Sequence, residues 1–235
     1  MNREDAARLA GRAGLAALAG FGLLAVVVVA TDGTALSLDD GSHSWSVAHR
    51  PDVAVAVARG LTATGTGVIP YALAVVAGII AGRTARQRLL AAVTSLVCLG
   101  AGQGLRYAVM SLIARPRPPR EDWVTHASGW SFPSGHTTTA ALAAGLLVIA
   151  VLIRAPGRGR PIALLIGCWG ALVGLTRVYL GVHWFTDVIG GWLLGVGWLG
   201  LCLGAALRWF PAEFTVGSMP SSRPDAAGEA QSTAE

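Results

Sequence analysis

Six long apolar runs divide the chain, separated by short polar stretches. They run roughly from Ala13 to Ala30, Leu61 to Ala81, Leu89 to Ala114, Ser134 to Ile153, Pro161 to Val178 and Phe185 to Leu207. Each has the ~20 residues that an α-helix needs to cross about 30 Å of hydrocarbon. Lipid offers the backbone no hydrogen-bond partners, so runs of this length are helical. The pattern predicts an all-α fold, an integral membrane bundle of six transmembrane helices over residues 1–210. The stretch from Thr31 to Arg59 is a polar loop in which Pro51 to Arg59 forms a short interfacial helix. Residues 211–235, rich in Ser, Pro, Ala and Glu, form a disordered tail. Arg3, Arg8 and Arg12 ahead of the first run resemble the start of a signal peptide. The run of about 18 residues is longer than a signal core and reads as a retained helix.

Composition agrees with the pattern. Of 235 residues 53% are hydrophobic and only 13% charged, where soluble domains carry about 25% charge. This excludes a disordered chain. The net charge of +5 is not a nucleic-acid signal, because the basic residues sit in small clusters between apolar runs. All of them are Arg. Arg3, Arg8, Arg12, Arg83, Arg86, Arg88, Arg154, Arg158, Arg160, Arg208 and Arg223 fall on one side of the predicted bundle. Arg50, Arg59, Arg115, Arg117, Arg120 and Arg177 fall on the other. The richer side is cytoplasmic by the positive-inside rule, which puts both termini inside a plasma membrane. The crowding of Arg115, Arg117 and Arg120 outside runs against that rule and asks for a reason. Cys98, Cys168 and Cys202 lie inside apolar runs and read as small buried hydrophobes.

Three clusters fall on the outer side by helix parity. Arg115-Pro-Arg-Pro-Pro-Arg120 follows the third run, Phe132-Pro-Ser-Gly-His136 opens the fourth, and Arg177 to Asp187 joins the fifth to the sixth. Pro133 and Ser134 mark a helix start, and Gly135 lets a ligand approach the backbone. The uncapped N–H groups of such a terminus suit a phosphate. His183 and Asp187 are four apart on one helix face, where a carboxylate fixes an imidazole tautomer and frees the other nitrogen. Arg177 adds a bidentate donor. His43, His49 and His126 have no acidic partner at ligand spacing and read as surface groups, with His126 nearest the site. Trp123, Trp130, Trp184 and Trp209 suit an interfacial belt. No outer cluster of carboxylates suits a divalent ion.

These residues resemble the three-part signature of the type 2 phosphatidic acid phosphatase family, membrane lipid phosphatases related to vanadium haloperoxidases. Pro-Ser-Gly-His is matched at 133–136 and the Arg…His…Asp part at 177–187, with Thr176 in place of Ser. The Arg-Pro of the first part falls on Arg117-Pro118, but its Lys position falls on Met110. The motifs so lie within 110–187.

The resemblance implies a metal-independent, cofactor-free hydrolase acting at the outer leaflet through a phospho-histidine intermediate. His183 is then the nucleophile, Asp187 orients it and His136 protonates the leaving oxygen. Arg117, Arg177, Ser134 and Gly135 hold the phosphate, with Arg115 or Arg106 making good the charge missing at position 110. The implied substrate is a lipid phosphate in the bilayer, foremost undecaprenyl (polyprenyl) diphosphate. Phosphatidic acid and phosphatidylglycerol phosphate are alternatives. No nucleic acid and no protein partner is expected. Two rival classes stay open: a non-catalytic lipid-binding relative, kept open by Met110, and a transporter. Transporters place ionisable groups near the bilayer midplane, and here only Arg106 lies well inside a run.

Overall fold

A computed structural model describes residues 2–209. The tail predicted over 211–235 lies outside the described residues. The fold is α1 (Arg3–Ala30), α2 (Ser37–Ala48), α3 (Asp52–Ala63), α4 (Val68–Ala81), α5 (Ala85–Ile113), a 3-10 turn (Arg120–Asp122), α6 (Gly135–Arg154), α7 (Arg160–Tyr179) and α8 (Phe185–Trp209). No strand occurs among the described residues. Five helices are long and apolar enough to span a membrane: α1, α5, α6, α7 and α8.

The second predicted span departs from expectation. The run from Leu61 to Ala81 is not one helix but the end of α3 and all of α4, bent by 54°. Thr64–Gly65–Thr66–Gly67 interrupts it, and Gly67 has a φ of +65°, which costs a side-chain-bearing residue steric strain. The pair counts as a sixth span only if the bent halves are taken together. The predicted polar loop is also more ordered than expected. Thr31 to Arg59 contains α2 whole, and the short helix expected from Pro51 starts at Asp52 and continues to Ala63.

The helix ends follow local chemistry. Thr84 and Gln87 form a reciprocal capping box that starts α5. Ala114, in the left-handed region, ends it and turns the chain into the Arg-Pro stretch. Pro161 stands in the first turn of α7, where its missing N–H costs nothing.

Packing holds the bundle, since lipid is as apolar as the core and gives no hydrophobic drive. Leu99, Leu142, Ala143 and Leu199 meet at the centre of α5, α6 and α8, with Ala74 of α4. Closer to the site, Phe132 is fully buried and stacks on Phe21 of α1 at 5.6 Å. α1 lies along α8 at backbone contact: a Cβ on Gly14 would stand 2.8 Å from the Leu201 nitrogen. Of the three cysteines, Cys98 is buried and Cys202 half-buried, but Cys168 is exposed, contrary to expectation; all three are free thiols.

Candidate active site

At one end of the bundle the segment before α6, the loop after α5 and the α7–α8 turn close around a cavity of about 450 Å³. Its walls include Arg106, Met110, Arg117, Gly135, His136, Arg177 and His183. Thr66, Gly67 and Tyr71 from the broken span form another side. The lining contains three guanidinium and three imidazole groups and no carboxylate.

His183 is nearly fully buried. Its Nδ1 faces Asp187 Oδ2 at 3.3 Å and its Nε2 lies 3.0 Å from Arg117 Nη1. The guanidinium can only donate, so Nε2 accepts and carries the lone pair, while Nδ1–H donates to the carboxylate. Burial pushes the His183 pKa down to about 4, against the opposing pull of Asp187. The ring is therefore neutral at pH 7, and its Nε2 lone pair is met by Arg117 at the cavity wall. Asp187 is itself tightly held. Oδ2 also accepts from the Trp184 N–H at 2.8 Å and from the Ser131 hydroxyl, and Oδ1 accepts from Arg115 Nη1 at 2.7 Å.

Arg117 holds the rim together. Its donors reach the carbonyls of Gly129 (2.9 Å), Val182 (2.6 Å), Ser128 (2.8 Å) and Trp130 (3.1 Å). Burial lowers its pKa to about 10, and it stays charged at neutral pH. Arg177 is anchored to α3 by a 3.1 Å bond from Nη1 to the Thr62 hydroxyl, and its Nε has no partner. His136 sits on the first turn of α6 and faces the cavity with Gly135.

Two of the expected phosphate ligands lie elsewhere. Ser134 is buried outside the cavity lining, and its Oγ accepts from the Thr137 hydroxyl at 2.8 Å instead of capping a backbone N–H. Arg115 is fully buried behind Asp187. Its guanidinium donates to the Gly33 and Thr34 carbonyls, the Thr186 hydroxyl, Asp187 and Asp39. With all three nitrogens engaged it has nothing left for a phosphate. The crowding of Arg after α5 thus has a structural cause: Arg115 is a paired core residue and Arg117 lines the cavity.

Some neighbours escaped sequence reasoning. Asp39 of α2 is fully buried and accepts from Arg115 Nη2 at 2.7 Å, from the Thr186 N–H at 2.8 Å and from the Thr186 hydroxyl. It backs Arg115, which backs Asp187, which orients His183. Ser131 joins the same set. His43 is not a surface group: it is buried and pairs with Asp122 at 2.9 Å. His126 lines the cavity. Among the described residues no group of three or more His, Cys, Asp or Glu stands at metal-binding distance.

The PAP2 superfamily sequence model matches residues 89–211, which includes every cavity residue from Gln103 to His183. The chain belongs to the PAP2 superfamily. It is a multi-pass membrane lipid phosphatase, and it shares that family with characterised relatives. It is 32% identical over 143 residues to phosphatidylglycerophosphatase B of Bacillus subtilis, covering 60% of this chain and 69% of that one. It is 31% identical over 139 residues to the undecaprenyl-diphosphatase BcrC of the same organism, covering 57% of this chain and 66% of that one. The crystal structure of a transmembrane PAP2-type phosphatidylglycerolphosphate phosphatase from Bacillus subtilis superposes with a TM-score of 0.66 at 26% identity, covering 83% of this chain and 94% of that one.

Proposed function

We propose that this phosphatase removes the terminal phosphate of a polyprenyl diphosphate, such as undecaprenyl diphosphate, at the outer leaflet of the plasma membrane. The observation that carries the reading is a neutral His183 whose Nε2 lone pair is met by Arg117 at the wall of a cavity lined by three guanidinium groups and no carboxylate. Such a wall suits a polyanion, and a diphosphate carries more charge than a monoester. The catalytic unit is the helical domain of residues 1–210, its motifs lie within 110–187, and both termini are cytoplasmic. The Arg distribution supports that orientation.

His183 Nε2 attacks the terminal phosphorus. The bond from phosphorus to the bridging oxygen breaks, and His136 protonates that oxygen, releasing polyprenyl phosphate. Asp187 holds the His183 ring and stabilises the charge it gains. Water then attacks the phospho-histidine as His136 takes its proton, which frees inorganic phosphate and restores both rings. Arg177 and the α6 terminus at Gly135 bind the phosphoryl oxygens, and Arg117, whose donors are held by carbonyls and His183, adds its charge beside them. The reading needs no metal ion and no protein partner.

A second reading is phosphatidylglycerol phosphate as substrate, favoured by the likeness to a relative and a solved structure named for it. Purified protein offered polyprenyl diphosphate, phosphatidylglycerol phosphate and phosphatidic acid, with chelator present, separates the two. Faster release from polyprenyl diphosphate, lost in His183→Ala, is the expected result. Faster release from phosphatidylglycerol phosphate would select the second reading. Equal release by His183→Ala would sink the phospho-histidine route, and dependence on added metal would sink the metal-free one.

A further inference from the structure

The cavity contains a cation with no partner worthy of its charge. Arg106 rises from α5, one turn before Met110, and is only 7% exposed. Its Nη1 rests 3.0 Å from the Met110 sulfur, a weak acceptor, and its Nε is buried without a partner. The guanidinium carbon stands 3.6 Å from the centre of the Tyr107 ring. No carboxylate lies within 4 Å of it among the described residues. A buried charge left in this state is costly.

The other face of the same group touches the α6 terminus. A Cβ added to Gly135 would stand 3.1 Å from the Arg106 guanidinium carbon and 3.3 Å from both terminal nitrogens. The missing side chain at Gly135 is what admits Arg106 to the place where the α6 terminus meets the cavity. Arg117 is already spent on four carbonyls. The open guanidinium donors in the cavity belong to Arg106 and Arg177.

We propose that Arg106 is a phosphate-binding residue of this site and takes the role of the Lys missing at position 110. It reaches the phosphate from one helical turn deeper, past the thioether of Met110. The proposal rests on the phosphatase reading above. It also explains the Met. A Lys at 110 would put a second cation against Nη1, so Arg at 106 and Lys at 110 exclude each other, and a neutral, compliant side chain suits the contact.

That exclusion gives a test by double-mutant cycle. The probe is inorganic phosphate, titrated calorimetrically onto detergent-solubilised protein, with a melting curve for each variant. Arg106→Gln should weaken phosphate binding by about ten- to a hundredfold, the loss of one charge-assisted hydrogen bond. Met110→Lys alone should also weaken it, through like-charge crowding. Arg106→Gln with Met110→Lys should bind more tightly than either single variant. Arg106→Met, which keeps an apolar stem, replaces any Gln variant that does not fold. Unchanged phosphate binding in Arg106→Gln would overturn the proposal, and so would additive losses in the double variant. His183→Ala is carried alongside for turnover. Full turnover by it would sink the phospho-histidine reading, while Arg106 is judged on phosphate binding alone.

Discussion

Arg115 and Arg106 are both buried cations at the same end of the bundle, and they are treated in opposite ways. Arg115 is matched on every side, by two carboxylates, one hydroxyl and two carbonyls. Arg106 has a sulfur, a ring face and a bare Nε. A saturated buried network is rigid and specifies one arrangement; an unsaturated one holds unspent interaction free energy that a ligand can release. The wall behind Asp187 is therefore scaffold, and the floor at Gly135 is the binding surface that we propose. Residue type alone does not separate the two.

The comparison breaks most visibly at Arg115. Arg115→Ala strands Asp39 and Asp187 as buried carboxylates and should destabilise the fold by about 3–5 kcal/mol, read as a lower melting temperature in detergent. An unchanged melting temperature would mean that the wall is not scaffold.

Acid should work against the same wall. The His183 pKa of about 4 lies below its ordinary 6.5, so between those values the unfolded chain binds the extra proton. The contribution is complete above pH 6.5 and is lost as pH falls toward 4, by up to about 3 kcal/mol. Melting curves against pH check this, and His183→Asn should flatten the slope.

Asp39→Asn is milder. It keeps the shape but turns one acceptor into a donor facing Arg115 or Thr186, for a loss of about 1–3 kcal/mol. Turnover should fall with it because Arg115 no longer holds Asp187 in place. The smallest effect is expected at Arg106. Arg106→Gln removes a buried charge that has no acidic partner, so the melting temperature should stay level or rise while phosphate binding suffers. A large drop in melting temperature would make Arg106 scaffold too and erase the contrast.

Most of the bundle was legible because lipid leaves the backbone few options. Five of the six apolar runs correspond to single helices within a few residues at most ends. The second was misread because Gly65 and Gly67 sit inside an otherwise apolar run, and hydropathy does not register a turn made by backbone conformation. The polar stretch hid α2 for a related reason: its buried face carries Asp39, His43 and Ser46, which are not apolar. His183 and Asp187 were readable as a pair because helix spacing brings them together. Asp39 and Arg115 are 76 residues apart and His43 and Asp122 are 79 apart, distances at which no periodicity speaks. The one visible trace of Asp39 is indirect, the crowding of Arg115, Arg117 and Arg120 in one short stretch. Ser134 and Arg115 stand outside the cavity lining because a residue type suited to phosphate is equally suited to an internal hydrogen-bond network.

The seat of α1 against α8 has a consequence for biogenesis. α1 leaves the ribosome before α8, the helix it packs along, and the glycines at Gly14 and Gly200 let the two backbones touch. Until α8 is inserted, α1 waits in the bilayer without its mate, and Phe21 has no Phe132 secured against it by the closed bundle. Docking of α8 thus brings Asp187 to the wall and clasps α1 in the same movement.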